Sequence, residues 1–158
     1  MSATVAPLLV FGWGNPSRGD DALGPLLVEQ LAGLVQASSG RLECLTDFQL
    51  QVEHALDLVG RERVLFVDAA IGLQTPFAVS TVVPAPVAGF TTHALAPEAL
   101  LQVYRDLERA EPPTCTLLAI RAQRFELGEA PGEQALADLA LALAWAMEWA
   151  RLPEEVPA

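Results

Sequence analysis

Residues 8–24, LLVFGWGNPSRGDDALG, decide the fold of this chain of 158 residues. The stretch begins with a continuous apolar run from Leu8 to Gly12, which is typical of a fully buried strand that leads into a turn. The turn-forming residues that follow predict a loop. Leucines then recur at helical spacing, with Asp20 or Asp21 as a candidate N-cap and Pro25 in the first turn. The stretch therefore predicts a strand–loop–helix unit.

The rest of the chain continues this alternation of strands and helices. Further strands are predicted over residues 41–46, 63–69, 78–83 and 114–120, and further helices over residues 51–59, from 97 to about 108, and from about 132 to 152. Apolar strands alternating with helices predict an α/β fold, with a twisted, mostly parallel five-stranded sheet and helices on both faces in a three-layer α/β/α arrangement. We expect one domain over residues 1–152 and a flexible tail over residues 153–158.

The amino-acid composition and net charge argue against some classes of partner and location for this protein. The formal net charge is −11 and the chain has no lysine, which argues against nucleic acid as a partner. The acidity would suit a cation or a basic peptide, but it also serves solubility alone. We expect a cytoplasmic protein, because we find no signal peptide and no apolar stretch long enough to cross a bilayer. Cys44 and Cys115 lie in apolar stretches, and we expect both to be buried free thiols.

Acidic and imidazole side chains fall where sites form in open α/β sheets, at the carboxyl ends of the strands. Asp20 and Asp21 follow the first strand, Asp68 lies near the end of the third, and His93 lies in the loop after the fourth. A charged group in the apolar stretch around Asp68 needs a partner, which could be a cation or the backbone N–H groups of the next loop. Likewise, His93 could be a functional imidazole or a loop histidine bonded to a neighbouring carbonyl.

The predicted helix over residues 51–59 carries Glu53 and His54. For His54 we favour a solvated or capping role. Glu53 could line the same cleft as the rim residues, or it could be an ordinary surface acid of a helix.

The glycine-rich loop after the first strand allows three interpretations. Residues 12–14 begin like a dinucleotide-binding fingerprint, but Ser17 replaces the third glycine and no acid follows the second strand at the usual spacing. A phosphate-binding Walker loop is excluded because the chain has no lysine. Residues 15–19 nearly match a serine-nucleophile elbow, but the first glycine is missing and Pro16 disfavours its sharp turn. The third interpretation is a loop that brings carboxylates to a metal.

Common zinc motifs do not occur in the sequence, which has neither an H-E-x-x-H helix nor a C-x-x-C pair. A metal would therefore be bound by carboxylates and one imidazole from different loops. Such a ligand set suits nickel, zinc, manganese or iron about equally.

Several segments together resemble the [NiFe]-hydrogenase maturation endopeptidases. The opening pattern of that family is G-N-x-x-x-x-D-D/E-G-x-G, and residues 14–24 match it except that Ala22 replaces a glycine. Matches to the family's later motifs follow in the same order and similar spacing: Gln49-Leu50 with Glu53, Val67-Asp68-Ala69, and Thr92-His93 with Leu95.

The resemblance implies an endopeptidase that removes the C-terminal extension of a hydrogenase large-subunit precursor after nickel insertion. It implies Asp21, Asp68 and His93 as the catalytic residues that bind the metal, with Asp20 as a neighbour that could exchange roles with Asp21. A spare carboxylate, Asp20 or Glu53, could assist as a general base. The divalent metal would be nickel presented by the nickel-loaded precursor, with no organic cofactor, and the enzyme would be a monomer. Residues 49–55, QLQVEHA, further resemble the type that serves a soluble, NAD-linked hydrogenase.

Two other functions remain open from the residues alone. The same three side chains could deliver or sense nickel without hydrolysis. Alternatively, the loop over residues 12–19 could hold a nucleotide for a small-molecule enzyme. Cleavage of a precursor, tight nickel binding and a thermal shift with dinucleotides would distinguish the three functions.

Overall fold

The structure, a computed structural model, describes residues 5–35, 40–86 and 95–151. Five strands and three α-helices form its framework, and two short 3₁₀ helices lie at Gly19–Ala22 and Val52–Leu58. The framework elements are β1 (Leu8–Trp13), α1 (Leu23–Leu34), β2 (Leu42–Asp47), β3 (Arg63–Ile71), β4 (Phe77–Val82), α2 (Pro97–Glu108), β5 (Thr114–Ala122) and α3 (Glu133–Ala150).

The five strands form one sheet in the order β2-β1-β3-β5-β4. Four of them run parallel, while β4 lies at the edge and pairs antiparallel with β5. The central strand β1 is buried throughout, and β3 is buried over residues 64–67, as their continuous apolar runs require. The edge position of β4 agrees with its alternating sequence, and most of its residues are exposed. The predicted mostly parallel five-stranded sheet is confirmed.

Helices cover both faces of the sheet. On one face, α1 and α3 pack with buried sheet residues such as Val10, Leu65 and Leu118. On the other face, α2 and the second 3₁₀ helix pack with Phe11 and Phe66. This is the predicted three-layer arrangement. Among the described residues, no helix has both the length and the apolar character needed to cross a bilayer.

The strand order identifies the place where a site is expected. From β1 the chain passes through α1 to β2 on one side, whereas β3 is followed by β4 and β5 on the other side. The connections thus leave in opposite directions from the adjacent strands β1 and β3. In open α/β sheets a ligand-binding crevice forms outside the carboxyl ends of two such strands.

Local details differ from the sequence-based expectations at the start of α1. Neither Asp20 nor Asp21 caps α1, because both lie in the preceding 3₁₀ helix; Ala22 is the N-cap residue and makes no side-chain cap bond. The physical reason is that the Asp20 carboxylate binds backbone N–H groups of a distant segment instead. Pro25 does fall in the first turn of α1, as predicted.

The helix predicted over residues 51–59 is a 3₁₀ helix and not an α-helix. Its first turn is fixed by a capping box between Gln51 and His54, and Gly60 follows with a φ of 83°. Cys115 is a buried free thiol as expected, whereas Cys44 is only half-buried because β2 is an edge strand. The tail predicted over residues 153–158 and the loop predicted around His93 lie outside the described residues.

Candidate functional site

Asp21 lies just beyond the carboxyl end of β1, in the first 3₁₀ helix. Its carboxylate oxygen Oδ2 accepts a hydrogen bond of 2.9 Å from the backbone N–H of Asn15. This hydrogen bond fixes the loop after β1 and the Asp21 carboxylate relative to each other. Asp21 remains partly exposed.

Three glycines allow the start of α1 to approach the ends of the central strands. A Cβ atom at Gly14 would lie 2.0 Å from the backbone oxygen of Asp21, and the φ of Gly14 is 146°. A Cβ atom at Gly12 would lie 2.5 Å from the oxygen of Gly24, and one at Gly24 would lie 2.8 Å from the oxygen of Val67. Any larger residue would force the helix away from β1 and β3. Close backbone packing thus brings the Asp21 turn to the end of β3.

Asp68 lies near the carboxyl end of β3, between the buried residues Val67 and Ala69. Its Oδ1 accepts a hydrogen bond of 2.8 Å from the N–H of Ala69. Burial, and to a lesser extent the negative charge of Asp21, raise the pKa of the Asp68 carboxyl from 3.8 to about 7, although hydrogen bonds from Ala69 and the Trp13 side chain lower it. Near neutral pH, this carboxyl is therefore poised between its protonated and ionised forms.

Asp20 has a different environment from Asp21, its neighbour in sequence. Its side chain is buried, with 4% relative exposure. Its Oδ2 accepts hydrogen bonds from the backbone N–H groups of Gln123 (2.7 Å) and Arg124 (3.2 Å), and its Oδ1 accepts one from Gly132 (2.9 Å). The carboxylate of Asp20 thus links the loop after β1 to the segment after β5.

His54 is a buried capping histidine. Its Nδ1 accepts the backbone N–H of Gln51 at 2.8 Å, so we assign the ring proton to Nε2, which then donates to Oδ2 of Asp47 at 3.1 Å. The ring packs edge-on against Phe11, with 4.6 Å between ring centroids. The capping interpretation is confirmed, and the ring is buried instead of solvated. Glu53 is exposed on the same 3₁₀ helix.

His93 lies outside the described residues, and the direction of β4 differs from what its expected place at the rim requires. The strand before it, β4, runs antiparallel, so that its last residue Val82 pairs with Cys115 near the start of β5. The carboxyl end of β4 therefore lies beside the amino ends of the parallel strands, at the opposite rim of the sheet from Asp21 and Asp68. Strand order alone does not place His93 beside them.

Asp21 and Asp68 are the two predicted ligands that the described structure brings together. Within residues 5–35, 40–86 and 95–151, no group of three or more histidine, cysteine, aspartate or glutamate side chains could hold a metal ion. Two carboxylates alone leave a cation with open coordination positions, to be filled by other ligands.

A cleft of about 280 Å³ lies between the loop after β1, helix α1 and the end of β2. Gly14, Glu29, Asp47 and Phe48 are among the residues that line it. Asp47 was absent from the sequence-predicted site. It could have been found, because it directly follows the predicted second strand and so lies at the same rim.

The fold is similar to that of several solved structures. The [NiFe] hydrogenase maturation protease HycI from Thermococcus kodakarensis KOD1 matches with a TM-score of 0.73 and 21% identity, over 90% of this chain and 91% of that protein. The hydrogenase maturating endopeptidase HybD from E. coli matches with a TM-score of 0.69 and 21% identity, over 90% of each chain. This chain has the fold of the hydrogenase maturation proteases.

A third protease, the hydrogenase 2 maturation peptidase from Thaumarchaeota archaeon SCGC_AB-539-E09, matches with a TM-score of 0.62 and 21% identity, over 90% of this chain and 96% of that one. No protein-family model and no curated protein matches the sequence. The maturation-protease fold accommodates Ala22 without strain, because this residue has φ −74° and ψ −10°. An alanine can adopt these right-handed helical angles as readily as the glycine that the sequence motif would place there.

Proposed function

We propose that this chain is a hydrogenase maturation endopeptidase. Its substrate would be the nickel-loaded large-subunit precursor of a [NiFe] hydrogenase, from which it removes the C-terminal extension. It would act as a monomer in the cytoplasm and recognise the nickel of the precursor by binding it with Asp21, Asp68 and His93. The observation that carries the proposal is the meeting of Asp21 and Asp68 at the switch point between β1 and β3, in a fold shared with the maturation proteases.

The pair of carboxylates has the chemistry to receive a cation. Burial is the main cause of the raised pKa of Asp68, and the negative charge of Asp21 raises this pKa further. A divalent ion between the two would reverse the balance, since each carboxylate must be ionised to act as a ligand. Binding of the substrate's nickel would therefore release the Asp68 proton.

The imidazole of the proposed ligand set has one candidate left. The sequence has two histidines, and both ring nitrogens of His54 are engaged by Gln51 and Asp47. His93 is the other histidine, and it lies four residues before α2 in the sequence. We therefore propose His93 as the third ligand, beside Asp21 and Asp68.

The proposed reaction is hydrolysis of a peptide bond next to the nickel of the precursor. The nickel ion could polarise the scissile carbonyl or lower the pKa of a bound water toward roughly 7. A carboxylate would then accept a proton from the attacking water. Asp20 is poorly suited to that role, because both of its oxygens are buried and accept backbone N–H groups. We therefore favour the exposed Glu53 over Asp20 as the assisting base.

A cleavage assay with two forms of the precursor tests this function. The enzyme is incubated with nickel-loaded and with nickel-free precursor, and intact mass spectrometry follows the C-terminus. We expect loss of the extension from the nickel-loaded form alone. Equal cleavage of both forms would contradict nickel recognition, and cleavage of neither form, together with tight nickel binding by the free chain, would favour a delivery module.

A further inference from the structure

We propose that Asp20 is a positioning residue for this reaction, which sets the location of the Asp21 carboxylate by tying its loop to the segment after β5. The inference rests on the proposed function for its catalytic consequence, but its structural part can be tested without catalysis. Asp20 itself would touch neither the nickel nor the substrate.

The Asp20 carboxylate is directed into the protein and satisfied there. It is buried and accepts three backbone N–H groups, from Gln123, Arg124 and Gly132, at 2.7, 3.2 and 2.9 Å. These donors lie 103 to 112 residues further along the chain. Charge-assisted bonds of this kind are stronger than those between neutral groups. One side chain thus joins two loops at the carboxyl rim of the sheet.

Backbone bonds between the same two loops surround the Asp20 carboxylate. The N–H of Asp20 donates to the oxygen of Arg124 at 2.9 Å, and the N–H of Gly19 donates to the oxygen of Glu129 at 2.9 Å. The N–H of Gly128 donates to the backbone oxygen of Ser17 at 2.7 Å. Residues 17–20 are therefore docked on residues 123–132, with the Asp20 side chain buried between the two segments.

The position of Asp21 depends on this docking of the loop. It follows Asp20 directly, and its backbone oxygen lies against Gly14, where even a Cβ atom would be 2.0 Å away. Its Oδ2 accepts the N–H of Asn15. Because Asp21 is held between the docked loop and the end of β1, a shift of Asp20 would move the Asp21 carboxylate relative to Asp68.

The substitution Asp20→Asn isolates the role of the carboxylate. It keeps the size of the side chain but replaces one acceptor oxygen with an NH₂ group, which would face a backbone N–H. At least one of the three donors then loses its partner. Asp138→Asn is the matched control: Asp138 is also buried, and it accepts bonds from Arg121 and Gln134 within the packing of α3 and β5.

The experiment compares both variants with the wild type at a temperature where circular dichroism shows all three to be folded. Amide hydrogen exchange at Asn15 reports the Asp21 carboxylate, since that amide donates to it. We expect Asp20→Asn to speed exchange at Asn15 at least tenfold and to lower kcat for the nickel-loaded precursor at least tenfold, with KM within threefold. Asp138→Asn should leave exchange at Asn15 and kcat within twofold of the wild type.

Three outcomes would overturn the inference: unchanged Asn15 exchange in Asp20→Asn, unchanged kcat in Asp20→Asn, or equal losses in Asp138→Asn. If Asp20→Asn does not fold, Asp20→Ser, which keeps one acceptor oxygen, is measured by the same criteria. If the wild type cleaves no precursor, the proposed function fails. In that case, the exchange at Asn15 alone decides whether Asp20 positions Asp21.

Discussion

Asp68 and Asp21 interact electrostatically across the crevice between the ends of β3 and β1. The pKa of the Asp68 carboxyl is about 7, chiefly because the group is buried, and the negative charge of Asp21 raises it further. The two residues are 47 positions apart in the sequence. They meet because β1 and β3 are parallel neighbours and because glycines let α1 begin against both strands.

The raised pKa predicts a specific pH dependence of stability in the metal-free protein. Asp68 has a pKa of about 7 in the folded state and about 3.9 in an unfolded chain. The folded state therefore holds a proton that the unfolded state has lost between these values. The resulting stabilisation is complete below pH ~4 and is lost as the pH rises to ~7.

Asp68→Asn removes this dependence. Relative to the wild type, the variant should become progressively more stable between pH 4.5 and pH 8, by about 2 to 4 kcal/mol at most. Urea unfolding of both proteins at several pH values measures the difference. Stability curves that stay parallel over this range would show that Asp68 holds no such proton.

The two histidines should separate stability from activity. His54→Ala removes a ring packed on Phe11 and leaves Asp47 and the N–H of Gln51 without their partner. We expect it to lower the free energy of unfolding by about 1–3 kcal/mol while nickel-dependent cleavage persists in the folded protein. His93→Ala should abolish cleavage with a nearly unchanged melting temperature. A large loss of stability in His93→Ala would instead indicate a structural histidine.

Gly14→Ala should damage the site through the backbone. The added Cβ would lie 2.0 Å from the Asp21 oxygen, at a φ of 146° that alanine rarely adopts. We expect a loss of more than about 1 kcal/mol in unfolding free energy, together with loss of cleavage. Gly33→Ala in α1 is the control, because nothing lies within 4 Å of its added Cβ. It should stabilise the helix by about 0.5–1 kcal/mol, and a similar effect of both substitutions would contradict the packing argument.

Most of the fold could be predicted because it follows from local patterns. The buried run at residues 63–69 and the alternating run at residues 78–83 each carry the hydrophobic period of their place in the sheet, centre and edge respectively. Asp21 and Asp68 could be predicted as partners because parallel strands bring their carboxyl ends to one rim.

The features of the fold and site that could not be predicted depend on contacts that no local sequence pattern contains. Asp20 looked like a helix cap, but its partners are more than 100 residues away in the sequence, and they outcompete the start of α1. The 3₁₀ form of residues 52–58 is fixed by the capping box of Gln51 and His54 and by the packing of His54 on Phe11. The carboxyl end of the fourth strand would bring His93 to the rim only if that strand were parallel, whereas β4 pairs antiparallel with β5.

The proposed reaction is tested by the intact mass of a nickel-loaded precursor after incubation with the wild type, Asp21→Asn or Asp68→Asn. Asparagine keeps the shape of each side chain but removes the charge that would hold the ion. The wild type should shorten the precursor to its processed length, while both variants, folded by circular dichroism, should leave it at full length. Cleavage by either variant at the wild-type rate would show that the two aspartates are not the residues that read the nickel.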